Sequence, residues 1–281
     1  MKIIFITDFF KDSGLGNYLR SKHIFNFVKR NKKHKVDFCT LSNLNRTTYK
    51  YDLIVLDLPK KNYTISAIIK KFSNPKAKII GLDYNFKTQI DYNIGIFLKN
   101  KNVIKNYISI KFCIIRDEIY KHKKYNKNEN LFFVSIGSSD IKNLRKKIAN
   151  LFSFYFSNIF VSSVIKINKN STEQKKYLKN MASCNLAAVN GGTTLMELLF
   201  LKKIVFVYPQ NILELKFTKY LRKQGYKIFI NKFIINNKTI DKLRTQKQNN
   251  GLIDQFGVNR ISKIILNIAN EQQIKLPYKS N

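Results

Sequence analysis

Three turns in this sequence combine glycine with hydroxyl or amide side chains, and each joins an apolar run to a segment of helical spacing. The first is Ser13-Gly14-Leu15-Gly16-Asn17-Tyr18-Leu19-Arg20, the second Ser135-Ile136-Gly137-Ser138-Ser139-Asp140, and the third Asn190-Gly191-Gly192-Thr193-Thr194, with Glu197 one helical turn further on. Glycine lets a backbone approach a phosphate closely, and a helix N-terminus offers unpaired N–H groups and about half a positive charge. A carboxylate placed like Glu197 can accept both hydroxyls of a ribose, as acidic residues do in dinucleotide sites. One such turn is equally a plain strand-to-helix connection, since G-x-G without a third glycine is a weak fingerprint. Three of them point to a nucleotide held by backbone amides. Phosphates held in that way need no metal and no further cofactor, and the chain has no Asp-x-Asp pair to hold one.

The elements that would position these turns follow from periodicity. Short runs rich in Ile, Val and Phe alternate with longer stretches of helical spacing, the signature of βαβ units and a parallel sheet. Strands are predicted at Lys2 to Thr7, Lys35 to Thr40, Leu53 to Asp57, Lys78 to Asp83 and near Lys111 to Arg116, with a helix from about Gly16 to Asn31. The charged, aperiodic stretch Lys121 to Asn130 reads as a linker. The strand pattern then resumes at Leu131 to Ile136, Ile159 to Ile165, Leu186 to Val189 and Ile204 to Tyr208. Helices are expected near Ile141 to Phe152, Thr194 to Leu201, Leu215 to Gln224 and Arg260 to Asn270. Two similar α/β halves result, with a cleft expected between them.

The chain has 281 residues, 44% hydrophobic and 25% charged, a globular composition that excludes a disordered chain or a membrane bundle. Lys and Arg total 52 against 17 Asp and Glu, a formal charge of +35. Such an excess suggests an anionic partner. Abundant Lys, Asn, Ile, Tyr and Phe with few Gly and no Trp also match an A/T-rich coding bias. The basic residues are spread along the chain instead of interleaved with aromatics in one stripe, which disfavours nucleic acid and leaves peripheral contact with an anionic membrane surface as the other outlet for the charge. Cys39, Cys113 and Cys184 form no C-x-x-C and no disulfide framework, so a reducing cytoplasm is expected. The opening MKIIFITDFFKD is too short in its apolar part for a secretory signal, and the uncharged segments Ile148 to Ile165 and Met181 to Met196 carry too many polar residues to span a membrane.

In their order along the chain, Gly14-x-Gly16-x-x-x-Arg20, Ile114-Ile115-Arg116-Asp117-Glu118, Val134 to Asp140 and Gly191-Gly192-Thr193-Thr194-Leu195-x-Glu197 resemble the UDP-sugar hydrolases of pseudaminic acid biosynthesis and related spore-coat polysaccharide proteins. The C-terminal half of that family resembles glycosyltransferase family 28. The most specific part is Met181 to Gly225, where Glu197 is followed by Leu221-x-x-x-Gly225. The resemblance implies an α/β, GT-B-like architecture of two Rossmann-like domains with parallel sheets and a UDP-sugar in the inter-domain cleft. It divides the chain into an acceptor and catalytic side at 1–125 and a nucleotide-sugar side at 126–281.

The chain departs from that family at three points. Asn17 stands where the family has the histidine expected to act as base, and an amide has no proton to exchange near neutral pH. Glu214 replaces a glutamine near the nucleotide, and Gln255 interrupts the family's Asp-Gly-x-Gly. The histidines His23, His34 and His122 lie outside the glycine turns and read as surface residues, so Asp8 and Asp12 are the nearest candidate bases. The expected function is cleavage of the sugar–phosphate bond of a UDP-sugar in surface-glycan or nonulosonic acid biosynthesis, by transfer or hydrolysis. The expected binding set is Gly14, Gly16, Arg20, Gly137, Ser138, Gly191, Gly192, Thr193, Thr194, Glu197 and Glu214. A non-catalytic nucleotide-sugar-binding relative is the alternative, with a basic nucleic-acid or membrane-surface module third.

Overall fold

The computed structural model describes residues 1–8, 16–46, 49–58, 64–122, 128–137, 140, 143–162, 172–246, 248 and 250–275. These form two compact units, one of 1–114 with 256–281 and one of 115–255. The second opens at Ile115, ahead of the 125/126 division, and the chain returns to the first unit for its last segment.

Unit 1 is built on β1 (Lys2–Thr7), β2 (Lys35–Thr40), β3 (Tyr51–Asp57), β4 (Ser73–Leu82), β5 (Ile90–Gly95) and β6 (Val103–Ile108). They form one sheet in the order β2-β1-β3-β4-β5-β6, and every pairing is parallel. Ile3, Ile4, Phe5 and Ile6 are all fully buried, as a central parallel strand covered on both faces requires. One face carries α1 (Gly16–Lys29) and the C-terminal helix, the other α2 (Ile65–Phe72). That C-terminal helix (Gly257–Lys275) lays Ile261, Ile265, Ile268 and Ala269 into the same core as Ile3, Phe5 and Val55. Its first residue has to be glycine: a Cβ there would stand 2.0 Å from the Cys113 carbonyl oxygen.

Unit 2 begins with a short helix, α3 (Asp117–His122), and continues through β7 (Asn128–Ser135), α4 (Leu144–Ser153), β8 (Asn158–Val161), α5 (Thr172–Ser183), β9 (Cys184–Val189) and α6 (Thr193–Phe200). It closes with β10 (Ile204–Val207), α7 (Ile212–Lys223), β11 (Ile228–Ile230) and α8 (Asn237–Thr245), which makes the C-terminal helix α9. Its sheet order is β11-β10-β9-β7-β8, again all parallel. Phe132, Phe152 and Phe206 form the aromatic centre of its core, with Phe132 and Phe152 stacked at 3.9 Å.

Two expectations need correcting. The run near Lys111 to Arg116 is no strand; Ile110–Phe112 forms a 3-10 turn opened by Ser109, whose hydroxyl accepts from the Lys111 amide at 3.2 Å. The run is apolar because Cys113, Ile114 and Ile115 are buried where the chain passes between units, not because it pairs in a sheet. His34 is not a surface residue: at 7% exposure it lies near the amino terminus and Asn270 of α9, and burial, with the neighbouring positive charges, lowers its pKa.

Candidate functional site

In open parallel sheets the crevice for a ligand lies beyond the carboxyl ends of the strands where strand order reverses. In unit 2 that point falls between β7 and β9, and the turns at Gly137 and Gly191 follow those two strands. The structure brings them together. The Gly137 amide donates to Asn190 Oδ1 at 3.3 Å, and Asn190 Nδ2 donates to Glu214 Oε1 at 2.9 Å. Glu214 Oε2 accepts from the amides of Gly191 at 3.2 Å and Gln210 at 2.9 Å. One carboxylate thus ties together the connections after β9 and β10, and through Asn190 the one after β7. The Glu214 charge is spent on loop amides. Gly191 is obligatory here: a Cβ would stand 2.6 Å from Glu214 Cβ and 2.9 Å from the Glu214 carbonyl oxygen.

The helices of this unit differ at their N-termini. Asp140 accepts from the amides of Leu144 at 2.7 Å and Arg145 at 3.0 Å and so closes α4. Asn211 closes α7 and Asn236 closes α8 in the same way, at 2.9 Å each. At α6 the capping residue is Gly192, no side chain among the described residues closes the end, and the first turn holds no acid. Thr193 is exposed there and Thr194 half-buried. The Leu195 amide donates to the Gly192 carbonyl at 3.1 Å, and the positive end of α6 offers the amides of Thr193 and Thr194 to a partner.

Glu197 lies one turn along α6, as expected, but beneath the surface at 1% exposure. Arg116 grips it with both ends of the fork, Nε to Oε1 at 2.5 Å and Nη2 to Oε2 at 2.7 Å, and the arginine side chain keeps 25% exposure. Burial by itself lowers the Arg116 pKa, but the Glu197 carboxylate more than offsets it, so the guanidinium stays charged. Its carbon also stands 5.9 Å from the ring centroid of Tyr177, whose hydroxyl lies 3.2 Å from Thr194 Oγ1. Burial, followed by the nearby Glu197, raises the Tyr177 pKa and keeps the phenol protonated. Sequence reasoning quoted Arg116 and Asn190 within motifs without giving either a role of its own, and it passed over Tyr177. The available signal was a lone arginine directly after the apolar run Cys113 to Ile115.

In unit 1 the reversal lies between β1 and β3. Arg20, one of the expected binding residues, is held by carboxylates at the ends of the strands. Its Nε and Nη2 reach Asp57 at 2.9 and 2.5 Å, and Nη1 pairs with Asp83. Ser21 adds a bond to Asp57 at 2.8 Å. Burial lowers the Arg20 pKa, but the two carboxylates raise it further, so the guanidinium remains charged. Asp83 sits at φ +48°, a left-handed conformation that Asp tolerates. Asp8 is buried at 3% at the end of β1. Gly16 and Asn17 are the first two residues of α1, so Asn17 lies inside the helix and is not its cap. Gly14, Asp12 and Ser138 fall outside the described residues. Among the described residues no group of three or more His, Cys, Asp or Glu side chains could hold a metal ion.

No protein-family profile matches the chain, and a search among curated proteins finds no match. Solved structures do match over nearly the whole length. A glycotransferase of kitacinnamycin aligns with TM-score 0.55 at 10% identity, covering 98% of this chain and 99% of that one. MurG of Acinetobacter baumannii aligns with TM-score 0.53 at 8% identity, covering 95% and 100%. A UDP-GlcNAc 2-epimerase from Methanocaldococcus jannaschii aligns with TM-score 0.50 at 10% identity, covering 95% and 100%. At such identities the likeness is one of fold, and the fold is α/β and GT-B-like, with two Rossmann-like units each built on a parallel sheet.

Proposed function

We propose that this chain is a nucleotide-sugar-dependent enzyme of GT-B type that takes the diphosphate of a UDP-sugar at the N-terminus of α6 and cleaves the bond between sugar and phosphate. The observation that carries this is the uncapped N-terminus of α6, set beside the Gly137 turn at the strand-order reversal, in a unit whose α4, α7 and α8 are closed by their own side chains. The names of the structural neighbours, a glycotransferase, MurG and a UDP-GlcNAc 2-epimerase, agree with a UDP-sugar as ligand. On cleavage the anomeric carbon leaves the β-phosphate oxygen, which keeps the electron pair. Amides of Thr193 and Thr194 and the Arg116 cation would stabilise that charge. An acceptor hydroxyl or water forms the new bond and gives up its proton.

Glu197 is the ribose contact in this reading. With both oxygens on Arg116, it accepts ribose hydroxyls only through its remaining lone pairs or after Arg116 turns toward the phosphates. For proton removal the sequence offers Asp8 and Asp12. Asn17 cannot serve, which favours transfer over hydrolysis and keeps a binding-only relative as the second reading. Turnover of isotope-labelled UDP-sugar separates that relative from an enzyme.

The binding test is Thr193→Glu. A carboxylate in the first turn of α6 complements the helix dipole, so stability should hold or rise by about 0.3 to 1 kcal/mol. UDP affinity measured by calorimetry should fall by about tenfold or more, since two like charges would compete for one helix end. Unchanged UDP affinity, or no UDP binding by the parent, would overturn the reading.

A further inference from the structure

Unit 2 carries, on the outer side of α4 and of the segment from β11 to α8, a surface that the nucleotide reading does not use. Phe154 is 83% exposed and Ile234 is 93% exposed, although neighbours of each are anchored inward. The Tyr155 hydroxyl donates to the Ile235 carbonyl at 2.6 Å, and Arg244 of α8 donates to the Tyr155 carbonyl. Lys147 of α4 lies 4.8 Å from the Phe233 ring centroid. Tyr155, Phe233 and Ile235 all pack against the one core that α4 and α8 cover. The two exposed apolar side chains therefore project from one layer held together by these contacts. On the same segments Lys147 of α4, Lys232 two residues before Ile234, and Lys238 and Lys242 of α8 are exposed. The acid on these segments, Asp241, is spent on Arg244 at 3.0 Å.

We propose that this surface docks on an anionic lipid surface, with Phe154 and Ile234 entering the boundary between headgroups and acyl chains and the lysines meeting the headgroup phosphates. Exposed large apolar side chains on segments that also carry exposed lysines suit an interface that is apolar below and negative above. Lysine stems can lie along the apolar side while their ammonium groups stay with the phosphates. A nucleic-acid backbone would satisfy the lysines but leave the aliphatic Ile234 in water, and that decides for lipid. No described helix is long and apolar enough to cross a membrane, so the contact is peripheral.

The test is co-sedimentation of the full chain with vesicles of phosphatidylcholine alone and of phosphatidylcholine mixed with phosphatidylglycerol. Binding is expected to the mixed vesicles only and should weaken with salt. Phe154→Ser combined with Ile234→Ser should lower the affinity by about tenfold or more, with the melting temperature unchanged because both side chains are already in water. Lys232→Glu with Lys238→Glu should lower it further than Lys32→Glu with Lys33→Glu, exposed lysines of unit 1. Three outcomes would overturn the proposal. The first is no binding to mixed vesicles. The second is binding indifferent to the Phe154 and Ile234 substitutions and equally sensitive to both lysine pairs, which would assign it to the diffuse +35 charge. The third is duplex DNA binding that weakens with the same two apolar substitutions and displaces the vesicles.

Discussion

At the scale of single residues, both units place an arginine on a buried carboxylate near the carboxyl ends of their strands. Arg20 keeps 21% side-chain exposure over Asp57 at 0%, and Arg116 keeps 25% over Glu197 at 1%. Removing the fully buried Asp57 leaves the Arg20 cation with little water and only the more exposed Asp83 as counter-charge. Asp57→Ala should therefore cost about 3 to 5 kcal/mol. Asp83 also contacts Arg20, but its side chain is 30% exposed and water screens the pair, so Asp83→Asn, which keeps the left-handed tolerance and an oxygen for the Ile96 amide, should cost about 1 kcal/mol or less. Chemical denaturation of the two variants checks the ranking. Equal losses would mean that Asp83 holds Arg20 as firmly as Asp57 does.

At the scale of elements, the connections after β7, β9 and β10 are held through the single carboxylate of Glu214. That arrangement depends on Gly191, since a methyl group there meets the backbone of Glu214 and not the end of a flexible side chain. Gly191→Ala should cost about 1 to 3 kcal/mol and displace the start of α7. At Gly192 the nearest atom to an added Cβ is the Asn190 amide at 3.4 Å, an ordinary contact, so Gly192→Ala should cost markedly less. Thermal melting of both variants supplies the comparison. A Gly192→Ala variant as damaged as Gly191→Ala would show that conformational preference at the α6 cap, and not the Glu214 contact, sets the cost.

At the scale of the whole molecule, each unit has its own core, and α9 belongs to the first although it follows the second in sequence. All three cysteines are buried thiols outside any disulfide, Cys39 and Cys113 in unit 1 and Cys184 in unit 2, so their reactivity reports which unit opens. Burial pushes the Cys184 thiol up to about 12, so it should resist thiol reagents until its unit opens. Ile265→Ala removes a fully buried side chain of α9 and should cost unit 1 about 2 to 5 kcal/mol. In thiol-labelling kinetics, Cys39 and Cys113 should then react faster while the rate at Cys184 stays unchanged. Equal acceleration of all three would show that the units open together.

The α/β class and the central strands were legible in the sequence because parallel strands covered on both faces must be apolar throughout. β1 and β2 match their expected limits, and β7, β9 and β10 fall within a few residues of theirs. β5 and β6, at one end of the unit 1 sheet, escaped because they read IDYNIG and VIKNYI, patterns too polar to stand out. The Gly137 and Gly191 turns were legible because glycine beside a helix start is a local signal, and the structure brings them to one edge. The residues that organise that edge were not. Arg116 and Glu197 lie 81 positions apart, as Arg20 lies 37 from Asp57, and a long charged side chain looks alike in sequence whether it is solvated or paired. Local periodicity records which face of an element avoids water. Which distant charge it meets there, and that α9 closes the first core, was decided by tertiary packing, where burying an ion requires its counter-ion within hydrogen-bond reach.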